Sequence, residues 1–286
     1  MAMPCRWEPS RLRLRERGVG LNQLRLSGIC GMLFGMRALS TKVAYWVNQC
    51  RRKLFPPACL FCRQPLQAEQ HCCRDCLEQI APLSPLSCRL CGIPLAESLA
   101  PGPCGKCLVS PPAQVNTVSL FAYRGGVREG LLRWKLGSDD AAVRWLISVA
   151  DNRLTELFKP EDLLLPVPMP LSRMRKSGQH HAADLCRMIA QVTGSTWDWR
   201  ILRRRGVQER QSALSGVARR KNLRKSFHVD GDYLKSIRLN ETVAGKVWIV
   251  DDIVTTGATL HHAAKALRPL KRPVSAFSLA RTLQNE

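Results

Sequence analysis

The chain is poor in acids, poor in aromatics and without any long apolar run. It has 22 Asp and Glu against 44 Lys and Arg in 286 residues, a formal net charge of +22. That imbalance favours polyanionic partners such as nucleic acid or pyrophosphate, and equally describes a soluble basic surface. Residues 1–53 carry 11 Lys/Arg against 2 acids, so a net +13 is left for the other 233 residues and the excess is not a tail. No apolar run reaches the length of a bilayer span, and Arg37 breaks the only short one near the start, Ile29 to Leu39. This excludes a membrane span, and with no convincing signal peptide it points to the cytoplasm. Aromatics make up 6% of the chain, and the most basic stretch has only Trp197, Trp199 and Phe227 near it as stacking platforms. Apolar content is ordinary at 45%, so a packed core is expected.

Cysteine is abundant, with thirteen residues. Eight fall into four C-x-x-C pairs: Cys59 and Cys62, Cys73 and Cys76, Cys88 and Cys91, Cys104 and Cys107. A C-x-x-C knuckle offers two sulfurs to one tetrahedral ion, and two knuckles complete a four-cysteine zinc site, so eight thiolates satisfy two zinc ions. With every position filled by protein, the metal is structural. The spacing fits sequential pairing (59, 62, 73, 76 and 88, 91, 104, 107) and an interleaved cross-brace equally well. His71 and Cys72 are spare candidates that rank below the eight paired cysteines. A redox C-x-x-C would need a surrounding βαβ pattern, which is missing here.

The most informative stretch runs from Val247 to Thr259. Val247-Trp248-Ile249-Val250 reads as a strand buried on both faces. Asp251 and Asp252 close it, Thr255-Thr256-Gly257-Ala258-Thr259 forms a small hydroxylic loop, and apolar positions 260, 263, 264 and 267 give a helix face. A loop opening a helix presents free backbone N–H groups to a phosphate. Gly257 permits close approach, and the threonines add hydroxyl donors. The two carboxylates repel phosphate and suit sugar hydroxyls or a Mg²⁺ ion. Phosphate, diol and metal together describe a phosphorylated ribose.

Elsewhere, Val115 to Tyr123 reads as a strand and Val127 to Trp145 as helical with a break near Gly137. Lys135 places a cation near that break. Leu163 to Pro170 is a buried strand stopped by prolines, followed by the cationic turn Ser172 to Gly178, with Arg173 and Arg175, and a helix from about His181 to Val192. Val274 to Ala280 is a last strand. Strand, loop and helix in alternation make a parallel α/β sheet whose ligands gather beyond the carboxyl ends of its strands. Residues 173–225 hold 14 Lys/Arg against 3 acids, either a track for single-stranded nucleic acid or a hood over a polyphosphate. Ser110-Pro111-Pro112 marks a linker. Residues 40–55 form a short helix, and residues 1–36 read as an upstream extension of the reading frame, with the natural start at Met32 or Met36, or as a basic arm.

The stretch Val247 to Thr259 resembles the signature of type I phosphoribosyltransferases, which bind 5-phosphoribosyl-1-pyrophosphate (PRPP). The order of cysteine knuckles, linker, Pro166-Val167-Pro168 strand, arginine-rich insert and terminal signature resembles the ComF/GntX family from about Leu54 to Leu283. Lys135, Arg173, Arg175, Gln211, Leu214, Asn222 and Phe227 match family positions more loosely. The resemblance implies a type I phosphoribosyltransferase-like parallel sheet over 115–286, a double zinc ribbon over 54–110 and a basic extension over 1–53. It further implies a ribose diol held by Asp251 and Asp252, and PRPP held by Thr255, Thr256, Gly257, Ala258, Thr259, Arg173, Arg175 and Lys135. Two structural zincs, Mg²⁺ and a link to DNA uptake and utilisation also follow, either as a phosphoribosyltransferase or as a non-catalytic factor for single-stranded DNA. Ser177-Gly178-Gln179-His180-His181 replaces the usual Arg-Gly-Phe-Asn-Gln, and Gln208 stands where the family has Thr. Both changes fall on the pyrophosphate and acceptor side.

Overall fold

In the computed structural model the strand Val247–Val254 lies at the centre of a five-stranded sheet. The structure describes residues 46, 57–66, 70–84, 86–137, 139–170, 174–175, 178–204, 226–236 and 244–283. The expected helix over 40–55, Trp46 apart, falls outside them, as do residues 1–36, Arg173, Gln208, Gln211, Leu214 and Asn222. The chain divides into two units, Met1–Lys53 and Leu54–Glu286.

Within the second unit the elements run α1 (Arg74–Gln79), α2 (Gly105–Val109), β1 (Asn116–Ala122), α3 (Gly125–Gly137), α4 (Ala141–Val149) and α5 (Asp151–Leu157). They continue with β2 (Leu163–Pro166), α6 (His181–Thr193), β3 (Thr196–Trp197), β4 (Leu202–Arg204), β5 (Phe227–Val229), α7 (Gly231–Ser236), β6 (Val247–Val254), α8 (Ala258–Ala266) and β7 (Val274–Arg281). The sheet order is β1-β7-β6-β2-β3, every neighbour parallel, and β4 with β5 makes a separate antiparallel ribbon.

Parallel strands bury both faces, and two cores result. Trp248, Val250, Phe277 and Leu279 face Leu131, Leu146, Phe158 and Leu185 from α3 to α6. Val247, Ile249, Val274 and Ala276 share a core with Leu260, Ala263 and Ala264 of α8, and with Leu202 and Phe227 of the small ribbon. Helix α6 buries residues 181, 182, 185, 186, 188, 189 and 193, the broad inward face of an amphipathic helix, and stops where Gly194 turns left-handed at φ 74°. One expectation is corrected: the acidic pair does not end the strand. β6 runs on to Val254 because β7 keeps pairing past the pair, Asp251 with Ser278 and Val254 with Arg281.

The cysteine segment is built onto β1. Between its two halves, Pro82 bridges Phe121, Leu83 donates to the Leu120 carbonyl at 2.9 Å, and Ala122 donates to that of Ala81 at 3.0 Å. The chain thereby supplies the hydrogen bonds that an edge strand would otherwise expose. On the helical side Phe61 enters between α3 and α4. A Cβ at Gly130 would stand 2.8 Å from that of Ala142 and 3.3 Å from the Phe61 ring, so only glycine lets the three surfaces meet.

Candidate functional site

The loop after β6 turns on Gly257, at φ 76° and with open space where a side chain would be. This residue caps α8, whose first amides belong to Ala258 and Thr259; Gly257 offers no capping side chain, and the Ala258 amide donates to the Thr256 hydroxyl at 3.4 Å. Thr255 and Thr256 are exposed. A helix beginning of this kind carries unpaired donors and partial positive charge toward whatever approaches Gly257.

The two aspartates differ. Asp252 is buried and accepts from Lys135 Nζ at 2.9 Å on each carboxylate oxygen, and from the Ile253 amide at 2.7 Å. Asp251 accepts from the Asp252 amide at 3.0 Å, and no ion pair is formed by it among the described residues. Burial first, and then the Asp252 charge, raise the Asp251 carboxyl well above the usual carboxylate range, with Lys135 offsetting part of the rise. A carboxylate held against its preference is what a bound cation or a pair of hydroxyl donors would relieve.

Lys135 reaches this place because α3 ends beside α6. His181 donates from Nε2 to the Trp134 carbonyl at 3.2 Å and sets its ring against the Trp134 indole at 4.8 Å. The neighbouring His180 caps α6 by accepting from the Ala183 amide on Nδ1 at 3.1 Å. Its proton then sits on Nε2, so the Met169 amide 3.4 Å from that atom is a contact and not a second bond. Burial lowers the His180 pKa from its ordinary value, which keeps the cap neutral. Two of the residues that depart from the family pattern, His180 and His181, thus lie at the junction of α3 and α6 beside Lys135, a role that residue type alone does not announce.

The turn with Arg175 leaves β2 next to the acidic pair, since Val167 donates to the Val250 carbonyl at 2.9 Å. Arg175 itself is exposed, and Arg173 lies outside the described residues. The structure therefore brings together Asp251, Asp252, Lys135 and, one turn further along, the loop from Thr255 to Thr259.

The cysteines form two groups, Cys59, Cys62, Cys73 and Cys76, and Cys88, Cys91, Cys104 and Cys107, with the four sulfurs of each within 4.8 Å of one another. The pairing is sequential, with no cross-brace. His71 and Cys72 belong to neither group, and burial together with nearby thiolates pushes the Cys72 thiol up to about 11. Cys62 and Cys73 sulfurs are 3.7 Å apart, and Cys91 and Cys104 sulfurs 3.8 Å. Zn–S bonds of about 2.3 Å put tetrahedral sulfurs roughly 3.8 Å apart, so the groups have the size of a zinc site. Burial would raise the Cys59 thiol, but the amides of Cys62, Cys73 and Phe61 outweigh it and hold it at about 6; Cys88 is held at about 6 in the same way by Cys91 and Cys104. One thiolate of each group is thereby ready for metal at neutral pH.

The first knuckle of the second tetrad, Cys88 to Cys91, is fixed to the sheet by three consecutive carbonyls. Arg89 accepts from the Thr117 amide at 3.0 Å, Leu90 from the Thr117 hydroxyl at 2.7 Å, and Cys91 from Arg281 at 2.7 Å. Arg281 is buried, which lowers its pKa, while the thiolates of Cys91, Cys88, Cys104 and Cys107 raise it again. The sequence reading missed both anchors; an arginine closing an otherwise uncharged strand is the signal that was there.

These features define a class: two cysteine tetrads of zinc-ribbon type joined to a parallel α/β sheet that ends in an acidic pair and an open helix N-terminus. A double zinc ribbon family model matches residues 51–108. The chain is 31% identical over 237 residues to the "DNA utilization protein YhgH" of Salmonella typhimurium, covering 80% of this chain and 98% of the relative. It is 28% identical over 230 residues to "Competence protein F" of Haemophilus influenzae, with 78% and 96% covered, and 22% identical over 225 residues to "Competence protein ComFC" of Bacillus subtilis, with 76% and 87% covered. The chain belongs to the ComF/GntX family. No helix among its described residues is long and apolar enough to cross a membrane.

Proposed function

We propose that the carboxyl end of β6 binds a 5-phosphorylated ribose, as PRPP with Mg²⁺, and that the chain serves DNA uptake and utilisation in the cytoplasm. The observation that carries the reading is the pairing of two opposed surfaces on one strand-loop-helix. The phosphate side is the free helix beginning at Gly257, and the sugar side is Asp251, which lacks the lysine partner that Asp252 has. The names of the relatives support the cellular role.

In this reading the amides of Ala258 and Thr259 and the hydroxyls of Thr255 and Thr256 bind the 5′-phosphate, and Asp251 accepts from the ribose hydroxyls. Lys135 holds Asp252 in place and screens it from the ligand's negative charge. Arg173 and Arg175 supply charge on the pyrophosphate side. Mg²⁺, when bound, neutralises the pyrophosphate and would draw its protein contact from Asp251. Transfer from PRPP calls for no protein nucleophile, because positive charge develops on the ring and the acceptor attacks C1 directly. The zinc ribbons are structural and take no part in it.

The test is calorimetry of the whole chain with PRPP and Mg²⁺, beside the Asp251→Asn variant. Heat of binding in the unaltered chain and its loss in the variant are expected. No heat in the unaltered chain refutes the site, and a pyrophosphate-exchange assay over a panel of bases then reports whether transfer follows binding.

A second reading has its own support. Trp199 is 44% exposed with the Arg203 guanidinium 5.0 Å above its ring, a stacking platform beside a cation within the basic stretch. It predicts salt-dependent binding of single-stranded DNA that weakens when Arg203, Arg204 and Arg205 are neutralised.

A further inference from the structure

Arg281 is 2% exposed at the end of β7. One arm of its guanidinium donates to the Cys91 carbonyl at 2.7 Å, and its Nε is buried with no hydrogen-bond partner among the described residues. Among the described residues, the negative groups that bear on it are the sulfurs of Cys88, Cys91, Cys104 and Cys107, with no carboxylate beside them. A guanidinium stays charged, and a buried charge persists only where something of opposite sign compensates it. Four thiolates on a divalent zinc leave that centre with two net negative charges. We propose that Arg281 is the buried counter-cation of the second zinc site, so that the parallel sheet completes this site electrostatically as well as mechanically.

The first tetrad is arranged otherwise. Arg133 donates to the Leu60 carbonyl of its knuckle, as Arg281 does to that of Cys91, but the Arg133 Nε faces Asp139 at 3.7 Å and its side chain is 27% exposed. Arg133 therefore has a carboxylate and solvent to share its charge with. Arg281 is buried and has no carboxylate partner among the described residues, and the second zinc is the centre that its charge serves. Neighbours of this kind commonly change metal affinity about 10- to 100-fold when removed.

The proposal rests on zinc in the second tetrad and not on the PRPP reading. Metal analysis of the unaltered full-length chain checks that premise first: two zincs per chain are expected, and a second tetrad without zinc overturns the proposal. Arg281→Met is then compared with Arg281→Lys and Thr117→Val. Zinc release to a chelator is followed alongside mass-mapped cysteine alkylation, and the thiolate-to-cobalt charge-transfer band is recorded after cobalt substitution. In the methionine variant one zinc, mapped to Cys88, Cys91, Cys104 and Cys107, is expected to leave roughly 10- to 100-fold faster while the other keeps its rate. Loss of the cation also raises the sulfur lone pairs in energy and moves the cobalt band to longer wavelength. Thr117→Val, which removes a docking bond and no charge, and Arg281→Lys, which keeps a cation, are expected to leave the band in place. An unmoved band with unchanged release in Arg281→Met overturns the proposal. So does a band shift in Thr117→Val as large as in Arg281→Met, since docking alone would then account for it. If the methionine variant does not fold, a folded lysine variant with two zincs and an unmoved band supports the charge role, and a lysine variant lacking the second zinc refutes it.

Discussion

Lys135 and Asp252, 117 residues apart in the chain, meet through both carboxylate oxygens at 2.9 Å, one at the last turn of α3 and the other inside the central strand. The lysine side chain is 31% exposed and the aspartate side chain 12%. Removing the lysine leaves a largely buried carboxylate without its cation. Lys135→Met is expected to cost about 1–3 kcal/mol, below the range for a fully buried pair because the lysine end is partly wet. Asp252→Asn in that background should recover part of the loss, and a double-mutant cycle by denaturant unfolding measures the coupling. Additive effects would show that the contact carries no energy.

Asp251 is expected to trade stability for binding. Its folded pKa is raised, so its stability contribution is full at low pH and is lost as pH rises through that raised value. Asp251→Asn removes the loss. The variant should melt a few degrees above the unaltered chain at neutral pH, with the gap closing in acid, and should fail to bind PRPP. A variant that melts lower at neutral pH would show that the carboxylate is satisfied where it stands.

His180 gives the opposite slope. Its folded pKa is lowered, so its contribution is full above the ordinary value of 6.5 and is lost as pH falls through the folded pKa, when Nδ1 takes a proton and releases the Ala183 amide. Asp184 and Asp252 oppose this shift and His181 adds to it. His180→Asn keeps a capping acceptor without the titration. Its unfolding free energy should therefore lack the decline below pH 6.5 that the unaltered chain shows, and parallel pH profiles would rule the cap out as the cause.

Gly130 is expected to tie the first ribbon to the helices. A methyl group there meets Ala142 at 2.8 Å and Phe61 at 3.3 Å, and overpacking of this kind costs about 1–3 kcal/mol. Gly130→Ala should lower the melting temperature and speed zinc loss from Cys59, Cys62, Cys73 and Cys76 while sparing the second tetrad. Equal release from both tetrads would mean the module responds as one piece.

Chelation of both zincs is expected to free the edge of β1. The amides of Leu83 and Ala122 donate across the junction between ribbon and sheet, and hydrogen exchange at these two positions should rise on metal removal while Trp248 and Ile249 in the sheet centre stay protected. Unchanged exchange at Ala122 would show that this junction survives without metal.

Much of this was legible in residue order because it depends on short-range rules. The C-x-x-C spacing points to metal knuckles, the apolar run before Asp251 reads as a buried strand, and the small hydroxylic loop around Gly257 opens a helix. Other features were not legible because their partners are remote in sequence. Nothing near Lys135 names Asp252, nothing near Thr117 names Leu90, and an arginine after Ala280 gives no hint of cysteines 190 residues earlier. The extent of β6 was also hidden, since two adjacent acids read as a strand end until β7 is seen to pair beyond them.

The chain alone determined its metal ligands, its alternation of strand and helix and the small loop that opens a helix after β6, because each follows from local backbone preference and side-chain chemistry. Tertiary structure decided which knuckles share a site, which aspartate is neutralised and which is left wanting a partner, and where a lone buried arginine finds its charge. Those outcomes turn on distances across the sheet, where low dielectric makes a few ångströms decide between a costly charge and a stabilising one.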